Sequence, residues 1–63
     1  MLDKFFSGAV NRFVLDIQNG KSKKSLKNSY KWLKTEMSEA YAHNELSEET
    51  YKNLSARLNE YYY

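Results

Sequence analysis

Four lysines have the side chains and the spacing best suited to binding chemistry in this sequence. Lys24, Lys27, Lys31 and Lys34 follow one another at steps of three, four and three residues. On an α-helix that spacing aligns them on one face, about 100° around from the apolar residues of the same segment. Lysines act as point charges, so this row suits either a phosphate backbone or an acidic protein groove.

The formal net charge of +2 hides two blocks of opposite charge. Residues 21–34 contain six Lys and no acid, whereas residues 36–49 contain five Glu and no Lys or Arg. If the chain folds back on itself, base gathers at one end of the molecule and acid at the other. The low net charge therefore does not exclude an electrostatic partner.

The sequence does not indicate catalytic or metal chemistry. Cys is absent, and the single His, His43, has no Ser whose spacing suggests a catalytic pair. His43 stands four residues after Glu39, but two ligands are too few for a metal site. Residues 20–22 read Gly-Lys-Ser, yet the upstream Gly of a phosphate-binding loop is missing. We expect no enzyme activity, no catalytic residue, no metal and no cofactor.

Several apolar and aromatic residues fall outside the expected core. Trp32 lies well over 100° from the apolar seam of its segment, so it either contacts a partner or packs against the first helix. Leu15 falls on the polar side of its segment, and Tyr62 and Tyr63 have no core position. We expect Trp32 to join the lysines in binding a partner, and Leu15, Tyr62 and Tyr63 to be available for self-association.

Apolar periodicity predicts three helices, at about residues 3–18, 23–43 and 48–61. The apolar positions are Leu2, Phe5, Phe6, Ala9, Val10, Phe13, Val14 and Ile17 in the first segment, Leu26, Tyr30, Leu33, Met37, Ala40 and Tyr41 in the second, and Tyr51, Leu54, Leu58 and Tyr61 in the third. The second segment is the longest.

Residues with N-capping side chains stand before each predicted helix. Asp3 is the expected N-cap of the first helix, Ser22 or Ser25 of the second and Ser47 of the third, because their oxygens accept first-turn N–H groups. Residues 19–20, Asn-Gly, end the first helix. The short connections favour helices that fold back on one another.

These elements predict an all-α fold, a small antiparallel three-helix bundle with a long central helix, as a single domain over residues 1–63. A homodimer remains an alternative, because so short a chain buries little core by itself. The longest apolar run, Phe13 to Leu15, is far too short for a signal peptide or a membrane span. We expect a cytoplasmic protein with no membrane contact.

Three functional hypotheses follow from these features. The leading one is a small non-enzymatic regulator or inhibitor, of phage or mobile-element type, that docks on a larger macromolecule through the lysines and exposed aromatics. The alternative is a nucleic-acid-binding accessory protein that contacts the phosphate backbone through the same lysines. A helix-turn-helix reader of bases fits poorly, because the second helix is long and the third is rich in Glu. The third hypothesis is structural self-assembly.

Overall fold

The computed structural model describes residues 1–61, and the fold class predicted from the sequence is confirmed. Three helices, α1 (Asp3–Gln18), α2 (Lys23–Ala42) and α3 (Glu48–Tyr61), pack against one another. The bundle measures 33 × 17 × 15 Å. Tyr62 and Tyr63, the residues of the predicted tail contacts, lie outside the described part of the chain.

Contacts between helix ends establish the direction of each helix. Tyr30, early in α2, donates a hydrogen bond to Asn59 near the end of α3, and Tyr41, late in α2, donates one to Glu48 at the start of α3. The starts of α1 and α3 are joined through Asp3. α2 is therefore antiparallel to the other two helices.

Apolar residues from all three helices and from the second connection form one core. Val10, Met37 and Leu58 are completely inaccessible to solvent, and Leu46 enters the core from the loop before α3. The other members of the cluster are Phe6, Phe13, Leu26, Leu33, Ala40 and Leu54. Four of the apolar positions expected in the core are exposed instead: Leu2 and Tyr41 at 37%, Tyr61 at 45% and Phe5 at 57%. They stand at the ends or edges of the apolar faces, which the neighbouring helices do not cover.

The predicted N-caps of α2 and α3 are confirmed. The Ser22 hydroxyl accepts a hydrogen bond from the Ser25 N–H at 3.3 Å, and the Ser47 hydroxyl accepts one from the Thr50 N–H at 3.3 Å. Each bond satisfies a first-turn donor that has no partner within its own helix. Short polar residues thus define where both helices begin.

α1 and α2 both end in a Schellman motif. After α1, the Lys21 N–H donates to the Asp16 carbonyl and the Gly20 N–H donates to the Ile17 carbonyl, with Gly20 at φ +77°. After α2, the residue at positive φ is Asn44, at +61°. A left-handed residue at this position is the usual way to terminate a helix, and Gly and Asn tolerate it best.

The prediction that Asp3 caps α1 is wrong. Asp3 contributes to the N-cap of α3 instead. It is the first helical residue of α1, and the position before it, Leu2, makes no side-chain cap. One carboxylate oxygen of Asp3 accepts the Ser47 N–H at 3.2 Å. The other accepts the Ser47 hydroxyl at 2.6 Å and the Thr50 hydroxyl at 2.7 Å. These bonds, led by that of the Ser47 hydroxyl, lower the pKa of Asp3 below its ordinary value of 3.8.

The Asp3 contacts predict acid-sensitive stability. Because the folded pKa lies below the unfolded one, this stabilisation is present above pH 3.8 and is lost as the pH falls through the folded pKa. Asp3→Asn should therefore unfold at lower urea than the wild type at neutral pH, and the gap should close well below pH 3.8. Urea melts followed by circular dichroism measure this. Glu60→Gln, which removes an exposed carboxylate, is the control and should show no such closing gap.

The two glycines predict substitutions of opposite sign. Gly20→Ala forces a side chain into the left-handed region and should destabilise the bundle by about 1 kcal/mol. Gly8 lies within α1 with nothing within 4 Å of an added Cβ, so Gly8→Ala should stabilise the bundle by about 1 kcal/mol. Thermal melts of the two variants check both signs, and equal effects would contradict the assignment of Gly20 to the turn.

Candidate functional site

The four lysines of the sequence analysis form an exposed row along α2. Lys24, Lys27, Lys31 and Lys34, the lysine stripe, are all exposed. Ten residues at 1.5 Å each separate its ends, so it spans about 15 Å of the helix. Because residues 23–42 are α-helical, these four lysines lie on one helix face, as their spacing predicted.

A groove of about 470 Å³ runs beside three of these lysines. Its lining consists of Lys27, Tyr30, Lys31, Lys34 and Thr35. The Lys34 ammonium lies 5.8 Å from the centroid of the Tyr30 ring, within the range of a cation–π contact. The stripe is therefore a charged edge beside an aromatic surface, not an isolated row of charges.

Tyr30 is a member of this site that the sequence analysis assigned only to the core. It is half-buried and packs against the core cluster, and its hydroxyl donates to the Asn59 amide oxygen at 2.9 Å. The sequence could have indicated this role, because Tyr30 stands at the edge of the apolar seam, one turn from both Lys27 and Lys34. A tyrosine there can bury one side of its ring and expose the other.

Carboxylates elsewhere in the described chain do not neutralise the stripe. The ion pairs within residues 1–61 are Arg12–Asp16 at 3.8 Å, Lys21–Asp16 at 3.8 Å and Lys52–Glu48 at 3.9 Å. None of them includes a stripe lysine. Four cations consequently face solvent on one flank of α2 with no carboxylate of residues 1–61 within 4.0 Å.

The ends of α1 and α3 supply the electrostatic setting for the stripe. α2 has no acid in its first turn, where the helix dipole is positive, so Lys24 and Lys27 are unfavourable there for α2 alone. The antiparallel arrangement brings the negative C-terminal ends of α1 and α3 to the same end of the bundle, and neither has a basic residue in its last turn. The α2 lysines therefore stand where their neighbours favour cations.

Trp32 lies on the opposite flank of α2 from that groove. It is 49% exposed and lines a different groove, of about 200 Å³, with residues that include Ala9, Arg12 and Asp16 of α1. At about 100° per residue it is at least 100° away from Lys27, Lys31 and Lys34. The structure thus does not bring Trp32 and the stripe into one groove. Trp32 borders α1 and leaves half of its surface exposed, and its contact with a partner stays a prediction.

Leu15 is exposed, as the sequence analysis expected. It is 52% accessible and is not among the residues that line the Trp32 groove. By helical spacing its neighbours on α1 are Lys4, Gly8 and Asn11, which present little apolar surface. Self-association through Leu15 stays a prediction.

The acidic end of the bundle has its own aromatic pair. Tyr41 and Tyr51 stack with ring centroids 4.5 Å apart and planes 3° from parallel. The Tyr41 hydroxyl donates to a Glu48 carboxylate oxygen at 3.2 Å, and this bond, with the Glu48 charge, raises the pKa of Tyr41. These contacts join the ends of α2 and α3 and explain why Tyr41 is only partly exposed.

Residues 1–61 contain neither a metal-binding cluster nor a membrane-spanning helix. No group of three or more His, Asp or Glu side chains there is close enough together to hold a metal ion. No helix in that range has the length and apolar character needed to cross a membrane.

Comparison with known proteins adds no family to this geometry. No protein-family model matches the chain. Neither a curated protein nor a solved structure is significantly similar to it. The function must therefore be inferred from the surfaces of this bundle.

Proposed function

We propose that this chain is a small non-enzymatic interaction protein that docks its lysine stripe on the acidic surface of a larger protein. The carrying observation is that Lys24, Lys27, Lys31 and Lys34 have no carboxylate of residues 1–61 within 4.0 Å and that three of them border an aromatic groove. In the fuller form of this proposal, it is a cytoplasmic regulator or inhibitor of phage or mobile-element type.

The extent of the basic surface favours a compact acidic patch as the target. The stripe spans about 15 Å, and on the same face α2 continues past Lys34 with Ser38, which carries no charge. A phosphate backbone that runs on past Lys34 therefore meets no further cation of α2, whereas an acidic protein patch of matching length ends there. The Tyr30 groove adds apolar contact area, which a protein side chain can fill.

The separation of charge along the bundle supports guided docking. The molecule is 33 Å long. The lysine-rich start of α2 lies at one end, and the other end holds Glu45 of the loop before α3 with Glu48 and Glu49 of its first turn. A partner with the opposite polarity is attracted in one orientation and repelled in the reverse one. Specificity can therefore arise from the direction of the field as well as from contacts.

Reversing two stripe charges should abolish partner binding without unfolding the protein. Lys27 and Lys31 are exposed, so the double variant Lys27→Glu, Lys31→Glu should keep its circular dichroism spectrum and lose at least tenfold in affinity. The measurement is capture of partners from host lysate by immobilised protein, identified by mass spectrometry, followed by titration of the purified partner. A folded double variant that retains partner affinity would defeat the proposal.

Lys4→Glu with Lys52→Glu is the matched control. Each Lys→Glu change lowers the charge by two, so this pair and the stripe pair both take the formal charge from +2 to −2. Lys4 and Lys52 are exposed and lie on α1 and α3. If both double variants lose binding equally, overall charge and not the stripe is responsible.

The regular spacing of the stripe lysines also makes nucleic acid the second candidate. This alternative predicts binding to duplex DNA or RNA whose affinity falls with salt at a slope corresponding to about four phosphate contacts. Gel-shift titrations of the wild-type protein at low salt measure it. Absence of any shift at low salt would rule out this alternative, and a steep salt slope without an acidic protein partner would replace the leading proposal.

A further inference from the structure

Trp32 lies half-exposed in a groove between α1 and α2 whose lining is partly apolar and partly polar. It stands in the middle of α2, with nine helical residues before it and ten after it. Phe5, which is 57% exposed, shares a side of α1 with Ala9, Arg12 and Asp16, and those three line the Trp32 groove. Trp32 and Phe5 are thus two large aromatic side chains, each about half exposed, on one side of the bundle. This side is called the Trp32 face below.

Two charges of opposite sign lie at nearly equal distances from Trp32 along α2. Lys24 precedes Trp32 by eight residues, and Glu39 follows it by seven. Both are exposed, and neither belongs to an ion pair within residues 1–61. A second α2 laid antiparallel across the first, with the two Trp32 residues level, brings each Lys24 to within about one residue rise, 1.5 Å, of a Glu39 along the axis.

We propose that the Trp32 face binds a second copy of this chain in an antiparallel, two-fold symmetric dimer. Trp32 of each subunit packs at the symmetry axis, beside the groove lined by α1. Lys24 of one subunit faces Glu39 of the partner subunit, and the same contact recurs on the other side of the axis. In a parallel pairing Lys24 would meet Lys24 and Glu39 would meet Glu39. In the antiparallel pairing each Lys24 meets a Glu39, so the charges are self-complementary.

Other features of the face agree with this occupant. Arg12 lies 3.8 Å from Asp16, which Lys21 also contacts at 3.8 Å, so the charge that Arg12 brings to the axis is partly balanced. The antiparallel arrangement also opposes the dipoles of the two α2 helices. Lys27, Lys31 and Lys34 are at least about 100° around α2 from Trp32, so they remain exposed in the dimer. The dimer uses only Lys24 of the stripe and leaves the other three lysines accessible to another partner.

The first test compares two substitutions that place the same charge on different faces. Trp32 and Leu15 are almost equally exposed, at 49% and 52%, but only Trp32 belongs to the Trp32 face. Trp32→Glu should give a monomer in sedimentation velocity at high micromolar concentration. Leu15→Glu, which the alternative of self-association through Leu15 predicts to be monomeric, should sediment as the wild type does. A monomeric wild type at that concentration, or dissociation by Leu15→Glu alone, overturns the proposal. Circular dichroism establishes that both variants are folded.

The single tryptophan reports on the same equilibrium in the unmodified protein. Because Trp32 is the only Trp in the chain, its fluorescence comes from the face itself. Dilution from high to low micromolar concentration should shift the emission to longer wavelength as Trp32 becomes hydrated, in step with the sedimentation data. A dimer seen by sedimentation without any change in emission would place the interface elsewhere.

A charge exchange tests the antiparallel register. Lys24→Glu and Glu39→Lys should each weaken the homodimer by about tenfold, because each variant places two like-charge pairs at the interface. An equimolar mixture of these two variants should recover dimerisation, since both of its contacts are again between opposite charges. The double variant Lys24→Glu, Glu39→Lys should recover it too. Two weakened homodimers that fail to combine, or a double variant weaker than either single one, would overturn the register.

Discussion

The bundle depends on the bonds that the Asp3 carboxylate makes across the fold. Asp3 accepts hydrogen bonds from Ser47 and Thr50, so the first turn of α1 completes the N-cap of α3. The Leu2 N–H strengthens the same junction by donating to the Glu45 carbonyl at 2.7 Å. Because α1 and α3 must begin side by side, the helix between them has to run the opposite way.

The distribution of charge follows from that direction. With α2 antiparallel, its lysine-rich start lies beside the C-terminal ends of α1 and α3, where helix dipoles favour cations. Its Glu-rich end lies beside the helix starts, where they favour anions. A sequence that would oppose its own dipole as a single helix therefore becomes compatible with its neighbours. The fold stabilises a separation of charge that leaves both ends available to partners.

Local sequence patterns predicted the helices and two of their caps. The features that could not be predicted depend on contacts between residues that are distant in sequence. The helix bounds, the Ser22 and Ser47 caps and the exposed lysines follow from periodicity and from side chains within one turn. Asp3 was misassigned because its partners lie more than forty residues away. The angle of at least 100° between Trp32 and three of the stripe lysines could have been predicted from helical spacing alone. The packing of α1 on the Trp32 flank could not, because spacing within one helix does not show which neighbour each flank meets.

Two flanks of one helix therefore carry two different kinds of surface. The core takes only the seam of α2, since α1 and α3 approach it from adjacent sides, and the rest of a twenty-residue helix must face solvent or a partner. On the α3 side that surface is cationic with an aromatic edge, which suits an acidic ligand. On the α1 side it carries the half-exposed Trp32, with Lys24 before it and Glu39 after it, which suits its own copy. A dimer formed on the second flank presents Lys27, Lys31 and Lys34 of both subunits to a partner, and two linked contacts bind a repeated acidic surface far more tightly than one.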